Sequence, residues 1–194
     1  MLIQIAYFIS IVLHPMVVAP VTFGTLIYGD SANTSPHKLF AISLLFTTVL
    51  IIIVVLLFKK KGQITNLDIS EREQRVQPLV YGSIIYGVGF LVLNYFDATP
   101  LVKGLMFCYA INTTIVWGIT RYWKISIHAI GLGGPFVALW LFGFQFPIIM
   151  GCSMILLCTS RVVLKAHTPA QVLAGASLAM GLAYLELTYL FLPL

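Results

Sequence analysis

Charged residues are scarce in this chain. Only 9% of its 194 residues are Asp, Glu, Lys or Arg, whereas 60% are hydrophobic, and the mean hydropathy is +1.01. Soluble domains contain about 25% charged and about 45–50% apolar residues, so this composition excludes a water-soluble domain. The sequence therefore predicts an integral membrane protein in which residues 1–194 form a single domain.

Cysteines and acidic residues are also few. Cys108, Cys152 and Cys158 lie in apolar runs without CxxC spacing, which argues against a disulfide framework and a zinc site. Three aspartates are too few for the repeated DxxxD motifs of CDP-alcohol or prenyl transferases. The last apolar run has no lysine for a retinal Schiff base, which argues against a retinal receptor. The chain also lacks a basic stripe interleaved with aromatics, so a nucleic-acid partner is not predicted.

Apolar runs account for most of the chain. About 20 apolar residues cross the hydrocarbon core of a bilayer as a helix. The candidate spans are 3–28, 39–58, 79–96, 101–120, 127–144, 147–160 and 170–191. We predict an all-α, polytopic transmembrane bundle of six to seven spans, because the run 147–160 is short. Pro15 and Pro20 are expected to kink the first span.

The basic residues are distributed unevenly between the two sides of the predicted bundle. Threading seven spans places the polar segments 59–78, 121–126 and 161–169 on one face, with nine of the 11 Lys and Arg residues. Only Lys38 and Lys103 lie on the other face. The positive-inside rule predicts that the basic face is cytoplasmic and that the chain is a multi-pass protein of the cell (inner) membrane.

Three polar clusters on the basic face contain the residue types needed for phosphate chemistry. The candidates are Arg72 and Arg75 in 68–78, Lys124, Ser126 and His128 in 124–128, and Ser160, Arg161, His167 and Gln171 in 160–171. Two histidines can serve as nucleophile and general acid, and arginines bind phosphate oxygens through two N–H groups. A metal site is not predicted, because only two histidines lie on this face and its acids are interleaved with arginines.

The third cluster resembles a signature of the type 2 phosphatidic acid phosphatases, a superfamily that includes the lipid phosphate phosphatases. That signature is SR, five residues, H, three residues, D, and Ser160, Arg161 and His167 match it at the same spacing. The sequence HTPAQVLAG is similar to the HTPSDVLAG of dolichyl- and undecaprenyl-type members.

The other two signatures are matched in part. Ser126 and His128 match the S and H of PSGH. The first signature is K, six residues, RP, and here Arg75 takes the arginine position. Asp68 occupies the lysine position and Val76 the proline position, so Arg72, Lys124 or Lys165 is a candidate to replace the lysine.

The resemblance implies a particular reaction. His167 would form a phosphohistidine and His128 would protonate the leaving group, without a metal ion or other cofactor. The implied phosphate-binding residues are Arg161, Arg75, Ser126, Ser160, Arg72 and Lys124. The implied substrate is a prenyl or glycerolipid phosphate or pyrophosphate within the membrane. Most members of the family act on the extracytoplasmic face, in conflict with the cytoplasmic side that the basic residues predict.

Gln171 stands where the family has an aspartate. Its carbonyl can accept the N–H of His167 and fix the tautomer, but it cannot stabilise an imidazolium as an anion would. A non-catalytic protein that binds or transports lipid phosphates is therefore the alternative function. His14, next to Pro15 within the first apolar run, is interpreted as a structural residue that could also line a lipid cavity.

Overall fold

The computed structural model describes residues 1–192, and this range is all-helical. The helices are α1 (Leu2–Val12), α2 (Pro15–Gly29), α3 (Pro36–Lys60), α4 (Arg72–Tyr95), α5 (Pro100–Thr120), α6 (Ile127–Phe142), α7 (Pro147–Val163) and α8 (Pro169–Phe191). Five of them begin at a proline, because proline has no N–H to lose at the first helical position and its φ angle already suits a helix.

Four helices, α3, α4, α5 and α8, are long and apolar enough to cross a membrane. The α1 and α2 helices, bent by 41° at their junction, together form a fifth candidate span, and α6 and α7 are shorter apolar helices of 16 and 17 residues. Each of the seven predicted segments is thus helical, with the first one divided. The break falls at Pro15 as expected, whereas Pro20 lies inside a continuous α2.

The outer surface of the bundle is apolar. Leu56, Leu91 and Leu185, on three different helices, are each more than half exposed. A monomeric soluble protein does not expose apolar surface on this scale, whereas lipid chains solvate it readily. The prediction of a multi-pass, all-helical membrane protein is consistent with these helices.

Two close helix contacts determine how one end of the bundle is arranged. The α6 helix packs against both α2 and α8. A Cβ atom at Gly131 of α6 would lie 2.5 Å from Cγ of Pro15, and one at Gly175 of α8 would lie 2.9 Å from the carbonyl oxygen of Ser126. Only glycine permits such approaches. These contacts bring the N-termini of α2, α6 and α8 together.

The largest cluster of buried apolar side chains lies toward the other end of the bundle. It is formed by residues near the end of α2, the start of α3, the end of α4 and the start of α5, including Phe23, Leu26, Leu39, Leu93 and Leu105, each at most 1% exposed. The buried arginine and histidine side chains lie at the opposite end, where the three polar clusters meet.

Candidate functional site

Residues from all three polar clusters meet at one end of the bundle. Arg75 is in the first turn of α4, His128 begins α6, Arg161 is near the end of α7, and His167 lies in the loop before α8. All four side chains are buried, with exposed fractions of 3% to 7%. The structure therefore brings together the two predicted histidines and two of the predicted arginines.

Hydrogen bonds to backbone carbonyl oxygens connect the clusters to one another. The Ser126 N–H donates to the Gln171 carbonyl oxygen at 3.3 Å. Arg75 donates from Nη1 to the Ile125 carbonyl at 3.1 Å and from Nε to the Ile69 carbonyl at 2.6 Å. Ile69 has a φ of 47°, which is costly for a β-branched residue, and this conformation directs its carbonyl at the arginine.

The hydrogen bonds of His167 define its tautomer. Its Nδ1 lies 3.1 Å from Oε1 of Gln171, and the Thr168 N–H donates to the same oxygen at 3.2 Å. Because this oxygen is an acceptor, Nδ1 must carry the proton and Nε2 must carry the lone pair. The Nε2 atom is buried and has no hydrogen-bond partner within residues 1–192.

Burial and nearby positive charges keep the His167 ring neutral. Burial lowers the pKa of His167 most, and the charge of Arg75 lowers it further, while the hydrogen bond to Gln171 opposes them. Lys124 and Arg161 add smaller effects in the same direction as burial, and the resulting pKa is about 4. The pKa of Lys124 is itself lowered by burial and by Arg75. At neutral pH the Nε2 lone pair is therefore free to act as a nucleophile.

His128 has different surroundings. Its ring contacts the His14 ring edge-on, with 4.7 Å between centroids. One ring nitrogen of each histidine and a carboxylate oxygen of Asp68 all lie within 4.8 Å of one another. The buried His128 Nε2 has no hydrogen-bond partner in the part of the chain that the structure describes. His14 was not among the predicted site residues, although a His-Pro pair inside an apolar run is a sequence feature that could have indicated it.

Asp68, in the position of the family lysine, forms an ion pair with Arg161. Both terminal nitrogens of Arg161 lie 3.2 Å from Oδ2 of Asp68, and Nη1 also donates to the Ser10 hydroxyl at 2.7 Å. The Arg161 side chain is 3% exposed and that of Asp68 is 48% exposed. Sequence reasoning missed both partners, because they lie 151 and 93 positions from Arg161.

Some predicted phosphate-binding side chains are engaged elsewhere. Arg72 binds Glu73 at 2.6 Å and the carbonyls of Thr120 and Arg121, so it does not join the buried group. The Ser160 hydroxyl donates to the Leu157 carbonyl at 2.7 Å. The hydroxyl groups of Ser126 and Thr168 serve as the N-caps of α6 and α8. Of the three candidates to replace the family lysine, Lys124 is the one whose charge acts on both His167 and Arg75.

A cavity of about 160 Å³ begins beside this group and is amphipathic. Its polar end is lined by His14, Asp68, Arg75 and His128. Apolar side chains of α3 and α4 line the remainder, as far as Tyr86 and Tyr109, whose rings are 5.3 Å apart. Arg75 and Tyr86 are 11 positions apart on α4, or about 16 Å along the helix. His167 and Arg161 are described by the structure but do not line this cavity, so a ligand that reaches His167 must extend beyond it.

The cluster of His14, Asp68 and His128 has the residue types of a metal site but not the right protonation. The Met16 N–H donates to Nδ1 of His14 at 3.1 Å, so Nε2 of the neutral ring carries the proton and offers no lone pair. Asp68 is already paired with Arg161. A metal ion would have to break both interactions, so the arrangement favours binding an anion.

Comparisons with protein-family models, with curated proteins and with solved structures found no significant match to this chain. The function is therefore inferred from the chemistry of the site and from the motif resemblance.

Proposed function

We propose that this protein is a membrane-embedded phosphatase with a core of six to seven membrane segments like that of the type 2 phosphatidic acid phosphatases. Its substrate is a prenyl or glycerolipid phosphate or pyrophosphate. One observation carries the proposal: two buried histidines with unpartnered Nε2 atoms and two buried arginines meet at one end of the bundle, where His128 and Arg75 line the polar end of a cavity.

The proposed reaction has two steps. In the first, the Nε2 lone pair of His167 attacks phosphorus, the bond from phosphorus to the ester or anhydride oxygen breaks, and protonated His128 gives its proton to that oxygen. In the second, neutral His128 takes a proton from water as the water attacks the phosphohistidine. The bond from phosphorus to nitrogen then breaks, inorganic phosphate leaves, and both histidines return to their starting state.

Positive charge around the two histidines supports this reaction. Arg75, Arg161 and Lys124 can balance the negative charge on the phosphoryl oxygens, and the two arginines are fixed by burial. The backbone carbonyls that orient Arg75 come from Ile69 and Ile125, so its position does not depend on the substrate. Such prior organisation is most of what phosphoryl transfer requires from a protein.

The cavity supports a lipid substrate. A phosphate at its polar end leaves the attached chain among the side chains of α3 and α4, including Ile51, Val54 and Leu79. These apolar side chains can pack against an acyl or prenyl chain, a contact that a short soluble phosphate ester cannot make. On the count of basic residues, we assign the site to the cytoplasmic face of the cell membrane.

A non-catalytic protein that binds or transports lipid phosphates is the second candidate. Two observations favour it: Gln171 provides no negative charge for His167, and Arg161 is already paired with Asp68. A binding protein needs the positive charges but not the unpartnered nitrogens of two histidines, so hydrolysis remains the first proposal.

The test is phosphate release from a panel of prenyl and glycerolipid phosphates by protein purified in detergent, with EDTA present. Wild type and His167→Ala are compared, with His37→Ala as the matched control because His37 is exposed in the first turn of α3. Release that resists EDTA, disappears in His167→Ala and persists in His37→Ala supports the proposal. Lipid binding without release by the wild type would establish the binding protein instead.

A further inference from the structure

His14 is a third imidazole at the site and belongs to none of the three motifs. It is the N-cap of α2, with extended backbone angles of φ −67° and ψ 140°, and its Nδ1 accepts the Met16 N–H. Three of the four histidines in the chain are thus buried or half-buried at this end of the bundle. The cap bond occupies the Nδ1 lone pair, so the proton of the neutral ring is on Nε2.

The position of His14 is fixed by close packing. Pro15, the next residue, lies against Gly131 at a distance that leaves no room for a Cβ atom. The ring lies edge-on to His128 and lines the polar end of the cavity with Arg75. A ring whose backbone and contacts are fixed in this way can orient a ligand without reorganising.

The Asp68 carboxylate shows which ligand chemistry suits this corner of the cavity. One of its oxygens lies within 4.8 Å of a His14 ring nitrogen, and Oδ2 accepts hydrogen bonds from Arg161, so this group of side chains already holds an oxyanion. The Asp68 side chain is half exposed and lies on the loop between α3 and α4, so it can be displaced without opening the core.

We propose that His14 is a phosphate-binding residue whose Nε2–H donates to an oxygen of the phosphate that replaces the Asp68 carboxylate. The inference deepens the proposed function and rests on it, but oxyanion binding can be measured without turnover. His14 takes no proton and binds no metal in this role, because its only lone pair is used by the helix cap.

Three substitutions separate the ligand role from the capping role. His14→Asn keeps a good N-cap but loses the donor at the ring position, whereas His14→Gln places an N–H near the Nε2 position and caps poorly. His14→Ala loses both the cap and the donor. His37→Asn is the control, because it makes the same substitution at an exposed histidine. The probe is tungstate, titrated into each protein purified in detergent, and the thermal midpoint is recorded for each variant.

We expect tungstate to bind about tenfold more weakly to His14→Asn and His14→Ala, and nearly as well to His14→Gln, as fits the loss of one hydrogen bond to a charged group. The thermal midpoint should fall in the Ala and Gln variants and not in Asn. Wild-type affinity in His14→Asn, or no tungstate binding by wild type, would overturn the assignment. Zn²⁺ binding that His14→Asn abolishes would also overturn it, in favour of a metal site.

The two proposals can fail separately. Tungstate binding that depends on His14, without hydrolysis of any lipid phosphate, would retain this inference and refute the phosphatase. Hydrolysis that depends on His167 but is unchanged in His14→Asn would retain the phosphatase and refute the role of His14.

Discussion

The two histidines shared with the phosphatase motifs differ in what surrounds them. His167 lies in a loop, has a single side-chain partner in Gln171, and has its tautomer set by the N-terminal cap of α8. His128 lies in the first turn of α6, contacts a second imidazole, and has a carboxylate oxygen of Asp68 within 4.8 Å of a ring nitrogen.

This difference bears on the roles proposed for the two histidines. A neutral partner and nearby cations leave His167 with a lone pair, as a nucleophile requires. A general acid must carry a proton, and in the proposed mechanism His128 gives one to the leaving group. The signature places its aspartate beside the nucleophilic histidine, whereas in this chain the carboxylate of Asp68 lies near His128, the proposed acid.

The largest effect within this comparison is expected from His128→Ala. Loss of a general acid typically costs about 10²–10⁴-fold in rate. The loss should be much smaller for a p-nitrophenyl phosphate ester, whose leaving group needs no proton, and initial rates on the two substrates measure the difference. Equal losses on both substrates would show that His128 is not the acid. His37→Ala is the control and should not change either rate.

A smaller effect is expected from Gly131→Ala, which disturbs the His128 side and leaves the His167 side intact. The new methyl group would overlap Pro15, displacing His14 from His128 at a cost of about 1–3 kcal/mol in the free energy of unfolding. Gly134→Ala on the same helix is the matched control, because a Cβ there meets nothing within 4 Å. Thermal midpoints of the two variants measure the difference, and equal midpoints would contradict the close packing described above.

The smallest change is expected from Gln171→Glu, which makes the His167 side more like the family. Since the pKa of His167 is lowered to about 4, its neutral form persists until the pH falls through that value, and the acid limb of kcat/KM should lie there. Glutamate preserves the capping box but adds an anion, which favours the imidazolium and should move the limb upward by about 1–2 pH units. An unchanged limb in pH profiles measured with the same substrate would show that His167 is not the group that titrates.

Much of the fold could be predicted from hydropathy alone. Each apolar run is a helix in the structure, because length and apolarity suffice to specify a helix in lipid. The break between α1 and α2 was expected from Pro15. The C-terminal ends of α6 and α7 were harder to predict: Gly143, in a left-handed conformation, ends α6 at Phe142, and α7 continues to Val163, beyond the predicted end at 160.

The site was predictable only where spacing along the chain determines it. His167 and Gln171 are one helical turn apart, so their contact follows from the sequence. The capping box formed by Thr168 and Gln171 was also readable in the sequence as T-x-x-Q, and it gives Gln171 a structural role beside its contact with the histidine. Ser10 and His14 reach the site through the packing of α1 and α2, and the pairing of Asp68 with Arg161 spans 93 positions, so these contacts depend on the tertiary fold.

The ion pair between Asp68 and Arg161 has a consequence for how the site responds to salt. In the proposed complex, a phosphate that binds Arg161 takes the place of the Asp68 carboxylate, so one anion is exchanged for another beside Arg161. The binding of an anion to a basic pocket that holds no carboxylate is weakened strongly by added salt, because salt screens the attraction between the anion and each cation. Under the proposed binding mode, exchange would reduce that dependence and would require the Asp68 side chain to leave Arg161.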